Sequence, residues 1–198
     1  PAGAELHRRL ATRWGRPAAA DQIRRALVLL ADHELNASTF AARVTASTGA
    51  SLAAAVLSGL AALTGPLHGT AALSALSLIE EAERIGPEAA VMSRLGQGVP
   101  IPALGHPLYP DGDARAAELM AHLDVPVRCR ELAEVAERVT GRTPNIDFAL
   151  AVLTLSEDLP HEAPLVLFAL GRTVGWLAHA LEQSESGELI RPRARYVG

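Results

Sequence analysis

The sequence predicts an all-α fold, and three observations predict it. Alanine and leucine dominate a chain that is 49% hydrophobic but only 4% aromatic, and both residues stand high in helix propensity. Runs of β-branched residues are scarce. Apolar side chains recur at the three- and four-residue spacing of a helix that buries one face. At 198 residues the chain can form one unit, or two lobes sharing a core, and bury a substantial interior without a covalent staple.

Eight helices are expected, with breaks where glycine supplies positive φ and proline stops the ladder. The first, 18–32, ends at the polar run Asp32-His33-Glu34, and Asn36-Ala37-Ser38 opens the second, 37–47. Gly49 separates it from 52–63, and Gly65-Pro66 separates that from 71–85, which Gly86-Pro87 closes. A loop rich in breakers (Pro100, Pro102, Gly105, Pro110, Gly112) leads to 113–123. Pro126 precedes 131–140, Pro144 precedes 148–156, and Pro160 precedes 164–183. No internal repeat is apparent.

Charge and composition exclude several classes. Net charge is −4 and all 18 basic residues are arginine, so nucleic-acid binding has weak support. The arginine fork does grip carboxylates bidentately, which lysine cannot do. Cys129 is the single cysteine, leaving no internal disulfide, and no leader-like pattern opens the chain; a reducing cytoplasm is expected. Segment 52–63 is almost wholly apolar but too short for a bilayer of ~30 Å. It should be buried, as a helix seam or a dimer interface. Segment 164–181 could span, but Arg172 at its middle costs roughly 2.5–3.5 kcal/mol on insertion. No membrane is expected. A guanidinium inside an apolar helix needs an anionic partner, either a structural acid or a bound ligand.

Four motifs carry candidate chemistry: Gly65-Pro66-Leu67-His68-Gly69, Gly105-His106-Pro107, Pro144-Asn145-Ile146-Asp147 and Arg191-Pro192-Arg193. Each has a structural explanation of its own. His68 and His106 suit turns, and Asp147 suits a helix N-cap or first turn. The functional explanation makes His68 a neutral imidazole at a helix start, where the dipole disfavours the cation and a ring N–H can meet a forming enolate oxygen. It makes Asp147 a carboxylate base whose pKa depends on burial.

In their order along the chain, these motifs and Asp32-His33-Glu34-Leu35-Asn36-Ala37-Ser38 resemble the citrate synthase family over residues 26–198. The resemblance implies condensation of an acyl-CoA with oxaloacetate. Asp147 would remove the α-proton, His68 would stabilise the enol and His106 would polarise the ketone. His33, Asn36, Arg115, Arg172 and Arg191 would bind the oxo-acid, with Arg191 reaching the site of a homodimeric partner. Ile101, Leu104, Gly105 and Asn145 would contact coenzyme A, which acts as a co-substrate thioester. No metal and no tightly bound cofactor are expected.

The resemblance also implies a small CoA-binding domain at 71–155, set in a large domain formed here by 1–70 and 156–198. Family members carry much of their large domain upstream of a segment like 26–38. In this chain the 99–105 loop lacks the family's basic approach and its Gly-aromatic-Gly turn, and Ala114 replaces a usual proline. Arg94, Arg142 and Arg195 are the arginines available for CoA phosphates. Two further readings stand beside the synthase: a catalytically weak ligand-binding or regulatory module, and a citryl-CoA lyase. Acetyl-CoA and propionyl-CoA are not distinguished, because one methylene is worth only about 1–3 kcal/mol in an apolar pocket.

Overall fold

Helix caps and proline placement divide the chain into ten α-helices and one 3₁₀ turn among the residues that the computed structural model describes, 4–65 and 68–196. Pro66 and Leu67 of the His68 motif, and Gly198, lie outside them. The helices are α1 (Leu6–Arg13), α2 (Ala20–Leu29, entered through the 3₁₀ turn Pro17–Ala19), α3 (Ala37–Ser47), α4 (Leu52–Leu63), α5 (Ala71–Ile85), α6 (Pro87–Gly96), α7 (Ala114–Met120), α8 (Val127–Thr140), α9 (Ile146–Ser156) and α10 (Ala163–Ser186). A lone antiparallel bridge, Leu104 with Pro144, is the only β pairing among the described residues. The predicted all-α class holds.

Three predicted helices, 37–47, 52–63 and 71–85, coincide with α3, α4 and α5. Two helices were not anticipated. Gly86 at φ +89 turns the chain and Pro87 then occupies the first helical position of α6, where its missing N–H costs nothing. A proline read as a stop is therefore a start. In α1, three apolar positions hide among arginines, and only Ala11 is buried. The predicted 18–32 helix ends early, at Leu29, which leaves the 31–36 segment free to present His33. Likewise α8 begins at Val127, straight after Pro126.

The core has two clusters that meet along α9. Ala149, Leu150 and Leu153 join a cluster built from α1 to α4, α7 and α10, whereas Phe148, Ala151 and Val152 join one built from α5, α6 and α8. A helix covered on both sides reads as a continuous apolar run, which explains the absence of a polar stripe in 148–155. Through the first cluster runs α10, long and apolar enough to cross a membrane by length and composition. Its apolarity has an interior cause: Leu167, Phe168, Trp176 and Ala180 pack into the core. Close approach needs two glycines, because a Cβ on Gly171 would stand 2.9 Å from Leu30 Cβ and one on Gly175 would stand 2.5 Å from the Ala31 carbonyl oxygen.

Segment 52–63 forms the expected helix seam along one face. Only the Ala55, Gly59 and Leu63 face of α4 is covered, packing against α3 and α10. Leu57 remains 66% exposed, because none of the described helices lies over that face.

Candidate functional site

Two loops distant in sequence are tied into one shelf. Gly105 N–H donates to the Thr143 carbonyl (2.7 Å), and Asn145 N–H donates to the Ala103 carbonyl (3.0 Å). Asn145 then uses both ends of its amide: Nδ2 donates to the Gly105 carbonyl at 2.9 Å, and Oδ1 caps α9 by accepting from Asp147 N–H at 3.0 Å. Ala103 (φ +60) and Gly105 (φ +68) make the bends. The shelf fixes where His106 leaves and where Asp147 enters the first turn of α9.

His106 points across this shelf at His33, with ring centroids 4.8 Å apart, edge to face. Tyr109 stacks on His33 at 5.3 Å and carries the Arg115 guanidinium 5.3 Å over its other neighbourhood. Leu108 N–H donates to His106 Nδ1 (3.2 Å), so a neutral His106 holds its proton on Nε2, where it is a donor. Burial, then the charges of Arg115, His106 and Arg172, push His33 down to about 4. His106 is also lowered, by burial and then Arg115. Both rings are neutral at physiological pH. His33 Nε2 is buried with no hydrogen-bond partner.

Arg115 is gripped by Asp113, which accepts from its Nε (2.9 Å) and Nη2 (2.8 Å). The same carboxylate caps α7 and accepts from Ile146 N–H at 3.0 Å. Asp113 thereby joins α7 to the start of α9. Burial raises the Asp113 pKa, but the Arg115 fork and these backbone donors win and hold it below the ordinary value.

Ser38 is a second junction. Its hydroxyl lies 2.8 Å from His68 Nε2 and 2.8 Å from Asn36 Oδ1, and it accepts from Trp176 Nε1–H at 3.1 Å. A hydroxyl has one proton. Given to Asn36, that proton obliges His68 to donate from Nε2. Rotated to His68, it leaves the ring proton on Nδ1 as the free donor. His68 sits in a turn ahead of α5, and its pKa is lowered by burial first and by Arg172 second. Asn36 caps α3 through Thr39 N–H at 3.0 Å.

Arg172 lies at the centre, 1% exposed. Its Nε donates to the Leu30 carbonyl at 2.8 Å, and its guanidinium carbon stands 5.1 Å over the Phe168 ring. Among the described residues no carboxylate comes within 4.0 Å of it, whereas Arg115, Arg43 and Arg94 are all ion-paired. Desolvation and the Arg115 charge pull it down to about 10. Its field reaches His33, His68 and Asp147. Asp147 is only partly covered as a residue, yet desolvation of its carboxyl outweighs the Arg115 charge and pushes it up to about 6.

The structure thus links His33, His106, Arg115, Asp147 and Arg172 through ring contacts and through-space charge, ties His68 to Asn36 through Ser38, and brings the Arg172 charge to bear on His68. Arg191 is not among them; it is exposed on the C-terminal tail. Ile101 and Leu104 turn their side chains into the core, while their segment borders cavities of ≈ 380 and ≈ 270 Å³, the first opening beside His106. Arg142 lines both cavities. Arg94 is committed to Glu81 at 3.2 Å. No cluster of three metal-ligating side chains occurs among the described residues. Sequence reasoning missed Ser38, Tyr109, Phe168 and Trp176 as parts of the site. Ser38 lay inside a quoted motif, but the other three gave no signal beyond their residue type.

Fold and site together define an all-α protein in which three imidazoles of lowered pKa, a carboxyl of raised pKa and a buried guanidinium with no described carboxylate within 4.0 Å are coupled through their charges. A sequence profile described as "Citrate synthase, C-terminal domain" matches residues 3–193. The chain belongs to the citrate synthase family. It is 35% identical to citrate synthase 2 of Bacillus subtilis over 92% of its own length and 52% of that protein. It is 35% identical to 2-methylcitrate synthase 1 of Corynebacterium glutamicum over 90% of its length and 51% of that protein. The chain therefore spans about half the length of these curated relatives. Among solved structures, a ternary complex of citrate synthase from Thermoplasma acidophilum with carboxymethyl coenzyme A and oxaloacetate superposes with TM-score 0.84 at 31% identity, covering 100% of this chain and 58% of that one. Citryl-CoA lyase from Hydrogenobacter thermophilus superposes with TM-score 0.84 at 26% identity, covering 100% of this chain and 85% of that one.

Proposed function

We propose that the chain supplies the machinery of a citrate synthase-type acyltransferase, joining acetyl-CoA or propionyl-CoA to oxaloacetate. The observation that carries this reading is Arg172, a buried guanidinium with no carboxylate of the described residues within 4.0 Å and with His68, His33 and Asp147 in its field. Burying such a charge unpaired is costly unless a ligand completes it. A dicarboxylate held by Arg172 and by the free edge of Arg115 has its ketone beside His33 and His106.

The chemistry follows from the pKa order. Thioester α-hydrogens are feebly acidic, so base and acid must act together. Asp147 takes the α-proton, and His68, once the Ser38 hydroxyl turns its proton from Asn36 Oδ1 to Nε2, offers Nδ1–H to the thioester oxygen. The enol carbon attacks the ketone carbon while His106 Nε2–H stabilises the new alkoxide. Water then cleaves the thioester, giving the tricarboxylate and the free thiol of CoA. Holding both substrates in register makes the carbon–carbon step quasi-unimolecular. The Ala103 to Asn145 shelf and its two cavities suit the CoA end, with Arg142 as the phosphate partner. In this reading 71–155 acts as the small lobe. The open Leu57 face of α4 and the Arg191 tail serve a homodimer, in which that arginine completes the neighbour's site.

The lyase direction has one observation of its own: the chain covers 85% of the citryl-CoA lyase with which it superposes. The same groups would break the bond when run backward, with Asp147 returning the proton to carbon. One experiment separates the readings. Thiol release from acetyl-CoA or propionyl-CoA with oxaloacetate supports the synthase. Oxaloacetate release from citryl-CoA without forward turnover supports the lyase. Oxaloacetate binding without turnover in either direction supports a ligand-binding module.

A further inference from the structure

The segment bearing His33 is fastened to three successive turns of α10. Arg172 Nε donates to the Leu30 carbonyl and Gly175 N–H to the Ala31 carbonyl, both at 2.8 Å, and His179 Nε2 lies 3.2 Å from Asp32 Oδ1. The third fastening is the unusual one. It engages a carboxylate, not a backbone carbonyl, and that carboxylate borders Gly175, about one turn along α10 from the Arg172 backbone. Asp32 is thus the acid best placed to neutralise Arg172, and its charge already acts on it. Yet no ion pair between them is formed, while Asp32 Oδ1 lies against His179.

We propose that His179 is a positioning residue that restrains the Asp32 carboxylate from pairing with Arg172, so that the guanidinium stays open to a ligand's carboxylate. The tautomer is dictated by Arg43. Its Nη1 lies 3.0 Å from His179 Nδ1 and can only donate. Nδ1 must therefore accept, and the ring proton sits on Nε2, aimed at Asp32. Arg43 is itself oriented by Gln183 Oε1, at 3.2 and 2.9 Å, and by Glu182, whose carboxylate also faces His179 Nδ1 at 3.9 Å. The charged groups around the ring are Asp32, Arg43 and Glu182. A glutamine at 179 could reproduce both hydrogen bonds, donating with Nε2 and accepting with Oε1. Alanine could do neither.

This inference rests on reading Arg172 as the carboxylate seat, and the test keeps the two apart. Oxaloacetate binding to the full chain is measured by calorimetry for the parent, His179→Ala, His179→Gln and the double variant Asp32→Asn with His179→Ala. The expectation is a loss of about tenfold for alanine, near-parental binding for glutamine, and recovery in the double variant, where the competing charge is gone. A double variant as weak as the alanine variant overturns the proposal, because a merely structural role would give that result. A parent that binds no oxaloacetate refutes the seat and not the restraint. The restraint is then read without ligand, from the Arg172 Nε–H resonance by NMR. It must move in His179→Ala and return in the double variant; an unmoved resonance overturns the restraint.

Discussion

Replacing Arg172 by methionine separates function from stability more sharply than any other substitution here. The fold holds this guanidinium about 1% exposed and draws its pKa down to about 10 from the ordinary arginine range, which corresponds to about 3 kcal/mol of charge burial. The sign is clear: the folded state disfavours the cation relative to the unfolded chain, and at neutral pH, where both states are charged, the cost is fully present. Methionine removes that cost. It also removes the donor to the Leu30 carbonyl, about 1–3 kcal/mol for a buried acceptor left unpaired, and the contact over Phe168, about 2 kcal/mol when desolvated. These opposing effects nearly cancel, so the stability of Arg172→Met should stay within about 1–2 kcal/mol of the parent in urea unfolding. Binding should behave differently. Losing one charge-assisted hydrogen bond to a ligand carboxylate costs about 1.5–3 kcal/mol, or roughly ten- to a hundredfold in the calorimetric Kd for oxaloacetate. A variant that loses several kcal/mol of stability and binds oxaloacetate as before would refute the reasoning, since Arg172 would then be a structural group.

Other outcomes follow from the same geometry. With Asp147 raised to about 6, the base is protonated and idle as pH falls through that value. Turnover should rise with pH around a midpoint near 6 in a kcat/KM profile, and a midpoint near 4 would contradict the burial argument. Because that raised pKa marks an ionised form the fold disfavours, the stability that the neutral carboxyl preserves is full below the unfolded value of 3.8 and is lost as pH rises through about 6. Asp147→Asn should therefore unfold no more easily than the parent at neutral pH, while thiol release falls about 10²- to 10⁴-fold. Asn145→Ala removes both the α9 cap and the donor to the Gly105 carbonyl. It should cost about 1–2 kcal/mol in denaturant unfolding, and weaken acyl-CoA binding more than oxaloacetate binding. Gly59→Ala would put a Cβ 2.7 Å from the Trp176 ring, which is hydrogen-bonded to Ser38. About 1–3 kcal/mol of destabilisation is expected, with altered tryptophan fluorescence.

What could be read before folding was largely what local chemistry decides. Helix α5 spans its predicted 71–85 because an apolar period ended by Gly86-Pro87 is written in neighbouring residues. Helix α6 escaped notice because Pro87 both ends one helix and begins another, and the choice depends on how Gly86 turns the chain. Asn36 and Asn145 were named for binding, and each also caps a helix. Cap and site share a residue because a helix N-terminus is where side chains leave the backbone toward open space. Tyr109 and Trp176 were invisible as site members, since their relevance lies in neighbours distant along the chain.

The sequence by itself determined the helical class, the family and the residue types of an acid–base site, because propensity, breaker placement and motif order are local properties. It even required Arg172 to find an anion. Only the tertiary structure decided that no carboxylate of the described residues pairs with that guanidinium, that Asp32 is engaged by His179, and that desolvation outweighs the arginines at Asp147. Pairing, burial and field strength depend on distances across the core, and those exist only once α2, α9 and α10 have packed.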